Sequence, residues 1–284
     1  MCEWRVILSG SLNTILDYNA TTPETYEFFK IVQNKLHYAV SGHTASEIIF
    51  NHAKGRGINV INNEKHRKIA FVTDFDGTIT NDDFFQYVGD AFFDDSALAP
   101  WRLYLKGKLS HFEALRQMYG SLRVCEKELI DLLKKVAVDE WVIPTFELLR
   151  DAQIPIYIAS AGCDYYINLL VGGEIEKYGV NLVTNSSRYS QAEGLLMERP
   201  SKDNRFYDEN VGISKKKIVE YLHQNDRRVI YAGDGPPDID PARIADIVFA
   251  KKILLKKCIE EGIKTLKFSD YKDIYNFFEG ELKK

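Results

Sequence analysis

Residues 71–80 constrain the fold more than any other stretch, because they join an apolar run to two carboxylates. Residues 69–72 are apolar and rich in strand formers, which is typical of a strand buried on both faces of a parallel sheet. Asp74 and Asp76 follow directly, where open α/β sheets bind their ligands. Such close carboxylates repel each other, so we expect a cation or a shared proton to offset the repulsion. The alternative is a polar turn that happens to hold two aspartates.

The composition indicates an ordinary soluble globular protein. The chain has 284 residues, of which 45% are hydrophobic and 27% are charged. Its net charge of −4 argues against attraction to nucleic acid or to an anionic membrane. No apolar run approaches the roughly 20 residues that a membrane-spanning helix needs. No charged-then-apolar signal peptide begins the sequence, so we expect a cytoplasmic protein.

Strand-like and helix-like segments alternate after residue 67, which predicts an α/β fold with a doubly wound parallel sheet. Beyond the first strand, we predict strands at residues 154–159, 180–184, 228–232 and 247–249. About 75 residues separate the first two strands, and their pattern is helical. We therefore predict a catalytic core at 67–80 and 156–284, with an inserted helical cap at 81–155.

Residues 1–66 read as a separate helical appendage. Thr21 with Glu24, and Thr44 with Glu47, have the spacing of capping boxes at helix starts. Two short helices of this kind have little core of their own. We expect the appendage to pack on the main domain or on a partner chain.

Polar side chains follow the later predicted strands as well. Ser160 and Ala161 come after the second strand, where a hydroxyl and backbone amides can bind an anion, although such a sequence also serves as a plain turn. Ser214 begins a helix that carries Lys215 near its start. Lys215 precedes the apolar stripe of this helix by three, four and seven residues, which places it on the sheet-facing side. Asp234 and Asp238 follow a further strand.

This order of motifs resembles the haloacid dehalogenase-like superfamily, in the phosphatase branch that carries Asp-x-Asp-Gly-Thr. A cap inserted after the first motif is similar to the phosphoserine-phosphatase-like group. Residues 158–166 and 248–263 further resemble phosphatases of methionine salvage, which act on a methylthio-ketopentenyl phosphate. Residues 27–49 are similar to a fragment of RhuM-type virulence proteins, from which no functional residue is transferred.

The resemblance implies a role for each matching residue. Asp74 would be the nucleophile, and Asp76 would be the general acid and base. Mg²⁺ would bind Asp74, Asp234 and the backbone carbonyl of Asp76, with Asp238 supporting the metal site. The remaining expected contacts are to phosphate, from Thr78, Ser160, Ala161 and Lys215, and to the substrate, from Asp83 and Phe85 of the cap.

The leading hypothesis is therefore a Mg²⁺-dependent phosphatase that hydrolyses a small phosphomonoester through an aspartyl-phosphate. One alternative is a phosphotransferase that uses the same intermediate. Another is a regulatory binding protein whose N-terminal hairpin recruits a partner. We expect a monomer or a homodimer.

Overall fold

A computed structural model describes residues 68–283 of the chain. By its internal contacts the chain divides into two units, Met1–Ile61 and Asn62–Lys284. The helical appendage predicted at residues 1–66 lies outside the described residues, so it stays a prediction. Among residues 68–283, no helix combines the length and the apolar composition that a membrane span requires.

The second unit is built on a seven-stranded sheet in the order β4-β3-β2-β1-β7-β8-β9. All neighbouring strands of this sheet run parallel except β3 and β4, which form an antiparallel hairpin. A separate two-stranded sheet joins β5 to β6. The strands are β1 (Ile69–Thr73), β2 (Ile156–Cys163), β3 (Asn181–Ser190), β4 (Gly194–Glu198), β5 (Tyr207–Asp208), β6 (Gly212–Ile213), β7 (Arg228–Gly233), β8 (Ile247–Ala250) and β9 (Leu266–Lys267).

Helices connect the strands and cover both faces of the sheet. Between β1 and β2 lie α1 (Phe84–Phe92), α2 (Ala99–Leu105), α3 (His111–Gly120), α4 (Glu126–Leu133) and α5 (Val142–Asp151). The later helices are α6 (Asp164–Tyr178), α7 (Lys215–Gln224), α8 (Ile239–Ala242), α9 (Lys252–Glu260) and α10 (Tyr271–Leu282). A 3₁₀ turn at Pro236–Asp238 precedes α8.

Strand β1 lies at the centre of the sheet and is buried along its whole length. Its side chains alternate between two apolar clusters, as the period of a strand requires. Phe71 packs edge-to-face on Phe278 of α10, with ring centroids 5.2 Å apart. Val72 points the other way, into a cluster that includes Ile218 of α7. Burial on both faces explains why the strand is a continuous apolar run.

The predicted doubly wound parallel sheet is confirmed. Strand β2 differs from the prediction, because it continues through Ser160 to Cys163 with a register shift after Ala159. The range 81–155 predicted for the cap includes α5, which packs on β2 and α10. Where the cap ends therefore stays a prediction.

Candidate active site

The site lies where β1 ends between β2 and β7. The amide of Asp74 donates to the carbonyl of Ala232 at 2.9 Å, so Asp74 still belongs to the sheet edge. The chain then turns at Gly77, whose φ of +72° favours glycine. A Cβ at Gly77 would lie 2.3 Å from Asp234 Oδ2, so glycine also makes room for the neighbouring carboxylate.

Lys215 links two carboxylates beneath this turn. Its Nζ donates at 2.6 Å to Asp74 Oδ1 and at 2.6 Å to Asp238 Oδ1. The Lys215 side chain is only 5% exposed, and two carboxylates offset the cost of burying its charge. Lys216 and Lys217 point elsewhere, as helical spacing predicts: Lys216 pairs with Glu220 at 3.6 Å and Lys217 donates to a backbone carbonyl.

Both carboxylate oxygens of Asp238 already accept hydrogen bonds. Oδ1 accepts from Lys215 and, at 2.6 Å, from the hydroxyl of Tyr231. Oδ2 accepts from the amides of Asp234 and Gly235 at 3.0 and 2.9 Å. Asp238 therefore holds the loop that carries Asp234 and orients the lysine.

Three carboxylates are crowded at this edge of the sheet. One oxygen each of Asp74, Asp234 and Asp238 lie within 4.8 Å of one another. Burial and the neighbouring Asp238 raise the pKa of both Asp74 and Asp234, against the opposing charges of Lys215 and Lys252. A cation beside them would favour the ionised forms. Carboxylate and carbonyl oxygens are the ligands that Mg²⁺ prefers, so the residues present fit that ion.

Asp76 and Asp74 have different hydrogen-bond partners: Lys215 binds Asp74, whereas Tyr166 and Phe84 bind Asp76. Its Oδ2 accepts from the hydroxyl of Tyr166 at 2.5 Å, and its Oδ1 accepts from the amide of Phe84 at 3.1 Å. The hydroxyl of Ser160 lies 3.5 Å from Oδ2. Burial raises the pKa of Asp76 to about 6, although the hydrogen bond from Tyr166 opposes the rise. A carboxyl group with that pKa can both donate and accept a proton near neutral pH.

Three of the residues expected to bind phosphate follow β1 or lie near the end of β2, at the same edge of the sheet as Asp74 and Asp76. The hydroxyl of Ser160 accepts from the amide of Gly162 at 3.0 Å. Asn185 fixes the strand end by donating to the carbonyls of Ala161 and Gly162 at 3.0 Å each. The hydroxyl of Thr78 is buried and has no hydrogen-bond partner among residues 68–283, which leaves a polar atom available for a ligand.

The two cap residues expected to contact substrate occupy different surroundings. Asp83 is the residue before α1, and burial together with Asp234 raises its pKa. The ring of Phe85 packs on Trp101, with centroids 4.9 Å apart. Neither residue lines the cavity of about 280 Å³ that opens beside Lys215. Their contact with substrate stays a prediction.

Two further side chains reach this site that the sequence analysis did not assign to it. Tyr166 contacts Asp76, and it is the third residue of α6, close behind the end of β2. Lys252 lies 3.1 Å from Asp234 Oδ2 and donates to the carbonyl of Gly77 at 3.3 Å. Each residue follows a predicted strand, and each lies within a stretch that resembles the methionine-salvage phosphatases, at residues 158–166 and 248–263.

One family model matches the start of the chain. The virulence protein RhuM family matches residues 9–71, and nearly all of that range lies outside the described residues. The match agrees with the resemblance stated for residues 27–49.

Two named phosphatases each match 73% of the chain. The 2-hydroxy-3-keto-5-methylthiopentenyl-1-phosphate phosphatase of Bacillus velezensis is 25% identical, over 73% of this chain and 88% of the relative. The polyol phosphate phosphatase of Saccharomyces cerevisiae is 26% identical, over 73% of this chain and 91% of the relative.

Solved structures share the fold. A substrate-bound phosphoserine phosphatase complex superposes with a TM-score of 0.54 at 19% identity, over 74% of this chain and 98% of the other. Cytosolic 5'-nucleotidase IIIB bound to cytidine superposes with a TM-score of 0.53 at 17% identity, over 84% of this chain and 90% of the nucleotidase.

Fold, motif order and relatives agree on one class of protein: the chain resembles the phosphatases of the haloacid dehalogenase-like superfamily. Within that class it is similar to the methionine-salvage phosphatases. The chain is thus a phosphoric monoester hydrolase.

Proposed function

We propose that this protein is a Mg²⁺-dependent phosphatase that hydrolyses a small phosphomonoester through a phosphoryl group carried on Asp74. The observation that carries the proposal is the pair of separate environments around the two aspartates. Asp74 is paired with Lys215 at 2.6 Å, whereas Asp76 is held by Tyr166 and has a pKa raised to about 6. One carboxylate thus suits nucleophilic attack and the other suits proton transfer.

In the first step, Asp74 attacks phosphorus while Asp76 gives a proton to the leaving alcohol. The amide of Ala161 and the hydroxyls of Thr78 and Ser160 orient the phosphoryl oxygens. Lys215 balances negative charge on Asp74 and on the transferred group. Phosphoryl transfer depends mainly on positioning and charge stabilisation, which these groups provide.

In the second step, Asp76 is ionised and takes a proton from the water that attacks the phosphorylated aspartate. Phosphate leaves and Asp74 is restored. Asp74, Asp234 and the backbone carbonyl of Asp76 would hold the metal, which supplies positive charge so that a carboxylate can approach a phosphate. Asp238 keeps Asp234 and Lys215 in place through the hydrogen bonds to its two carboxylate oxygens.

A phosphomonoester panel with and without Mg²⁺ tests the proposal. The relatives act on a methylthiopentenyl phosphate and on polyol phosphates, so esters of this kind belong in the panel beside 4-nitrophenyl phosphate. We expect inorganic phosphate to be released without an acceptor alcohol and only when Mg²⁺ is present. Full turnover in chelator, or turnover that requires an acceptor, would contradict the proposal.

A further inference from the structure

Lys252 joins the loop of Asp234 to the turn that follows β1. Its Nζ lies 3.1 Å from Asp234 Oδ2, and it donates to the backbone carbonyls of Gly77 and Asn81 at 3.3 and 3.1 Å. In the described part of the chain, Lys252 is the one ion-pair partner of Asp234. The lysine therefore holds a cation directly against an expected metal ligand, where the chain leaves β1 for the predicted cap.

The backbone of Lys252 has an unusual conformation. Its φ is +48°, in the left-handed region that favours glycine, although the residue begins helix α9. A long side chain in this region costs energy, which other contacts have to offset. The contacts of the ammonium group with Asp234 and with the two carbonyls can provide that offset. The strained backbone thus indicates that this charge is placed specifically.

Asp234 is held in place without the help of Lys252. Its amide donates to Asp238 Oδ2 at 3.0 Å, and its carbonyl accepts from the amide of Leu254 at 2.8 Å. Its side chain is only 10% exposed, and it lies so close to Gly77 that a Cβ there would be 2.3 Å from Oδ2. Removing the ammonium group should therefore leave the carboxylate close to its present position.

The charge of Lys252 has two opposing effects on a divalent cation at Asp234. The hydrogen bond orients the carboxylate, which favours the cation, whereas the ammonium group repels the cation and competes for the same carboxylate. Because backbone contacts already fix Asp234, the loss of orientation on removing Lys252 should be small. The lysine side chain is 46% exposed, so solvent screens the repulsion without abolishing it. Repulsion should therefore be the larger effect.

We propose that Lys252 competes with the metal ion for Asp234 and thereby weakens the binding of Mg²⁺ to this site. The ammonium group gives up its contact with Asp234 when the enzyme takes up the ion, and it can turn into solvent because it is half-exposed. This inference rests on the proposed Mg²⁺-dependent function and adds to it a residue that sets how tightly the ion is held.

Lys252→Met tests the charge alone, because methionine keeps a long side chain and imposes the same backbone strain. Isothermal titration with Mg²⁺ measures the dissociation constant directly and needs no substrate. We expect the Kd for Mg²⁺ to be roughly tenfold lower in Lys252→Met than in the wild type, the size of a solvent-screened repulsion between close charges. Lys252→Arg keeps the charge, so its Kd should be closer to that of the wild type. Lys252→Gln provides a second uncharged variant if the methionine variant does not fold.

Lys257→Met is the matched control. Lys257 lies on the same helix, α9, and pairs with Glu260 at 2.9 Å. Both substitutions remove one positive charge from this helix, so the control accounts for the change in net charge. It should leave the Kd for Mg²⁺ unchanged. With 4-nitrophenyl phosphate, Lys252→Met should need less Mg²⁺ for half-maximal activity than the wild type, while kcat at saturating Mg²⁺ stays the same.

A Kd that is unchanged or higher in Lys252→Met, or one that falls equally in Lys257→Met, would overturn the competition and leave the phosphatase function intact. Absence of turnover with every ester would instead overturn the phosphatase function, and titration with Mg²⁺ would still decide the role of Lys252. If neither the wild type nor Lys252→Met binds Mg²⁺, the proposed metal site and this inference both fail.

Discussion

Tyr166→Phe removes one hydroxyl from the site and leaves nearly everything else in place. The ring of Tyr166 stacks on Phe84 with centroids 4.1 Å apart, and phenylalanine preserves that contact. A Cβ at Gly162 would lie 2.0 Å from the tyrosine hydroxyl, so the chain leaves space for this oxygen. The substitution therefore tests the hydrogen bond to Asp76 rather than the packing.

The expected loss follows from the contacts of Asp76. Without the tyrosine hydroxyl, the one partner left to Asp76 Oδ2 among residues 68–283 is the hydroxyl of Ser160 at 3.5 Å, while the amide of Phe84 still donates to Oδ1. A hydrogen bond to a charged group contributes about 1.5–3 kcal/mol, so kcat should fall by roughly ten- to a hundredfold. KM should change little, because the hydroxyl of Tyr166 binds Asp76 and not a residue that is expected to hold the phosphate.

Steady-state kinetics with 4-nitrophenyl phosphate measure both constants, and thermal unfolding checks that the variant is folded. Tyr165→Phe is the matched control, because its hydroxyl donates to the surface residue Glu126 at 2.8 Å and lies on the same helix. We expect the control to keep wild-type kcat. If Tyr166→Phe is as active as the control, Tyr166 does not position Asp76 for catalysis.

Two other changes have outcomes that the structure predicts. Gly77→Ala should lower Mg²⁺ affinity and kcat together, because the new Cβ would displace Asp234; isothermal titration with Mg²⁺ measures the affinity. Gly107→Ala is the control, because Gly107 has a similar positive φ but open space around it, so the substitution adds backbone strain without displacing a neighbour. If Gly107→Ala lowers Mg²⁺ affinity and kcat as much as Gly77→Ala does, this reasoning is wrong. His111 has a folded-state pKa lowered from 6.5 to about 4, so the unfolded chain binds its proton first and stability is lost as pH falls from about 6.5 to 4. Urea unfolding across this pH range measures the loss. We expect the free energy of unfolding of His111→Gln to fall by about 3 kcal/mol less than that of the wild type. Identical pH profiles for the two proteins would refute this prediction.

The placement of the main side chains could be read from the sequence, because parallel strands end at one edge of a sheet. Asp74, Lys215 and Asp234 are far apart in the chain, yet each follows or faces a predicted strand end, and the structure brings them together. Helical spacing alone separated Lys215 from the two lysines after it. These inferences needed only the period of local structure and the topology of the fold.

The contact of Tyr166 with Asp76 and the buried surroundings of His111 could not be predicted in this way. Each residue stands near the start of a helix, where the pattern of apolar residues fits core packing equally well. The contact of Tyr166 depends on how α6 follows the irregular end of β2. The pattern of apolar residues does not predict the register shift there. The surroundings of His111 depend on Asn210, which is 99 residues away in the chain. Such contacts are set by the packing of the cap on the core, not by local periodicity.

The most direct test of the proposed mechanism is to look for phosphate on Asp74. Asp76→Asn removes the group that activates water, whereas 4-nitrophenolate leaves readily without a proton. Phosphorylation of Asp74 should therefore be faster than hydrolysis of the phosphorylated enzyme. We expect a burst of 4-nitrophenol, and mass spectrometry of quenched Asp76→Asn should show one phosphoryl group on Asp74. Asp74→Asn should show none. A phosphoryl group on a serine, histidine or cysteine instead, or full turnover by Asp74→Asn, would contradict the assignment of Asp74 as the nucleophile.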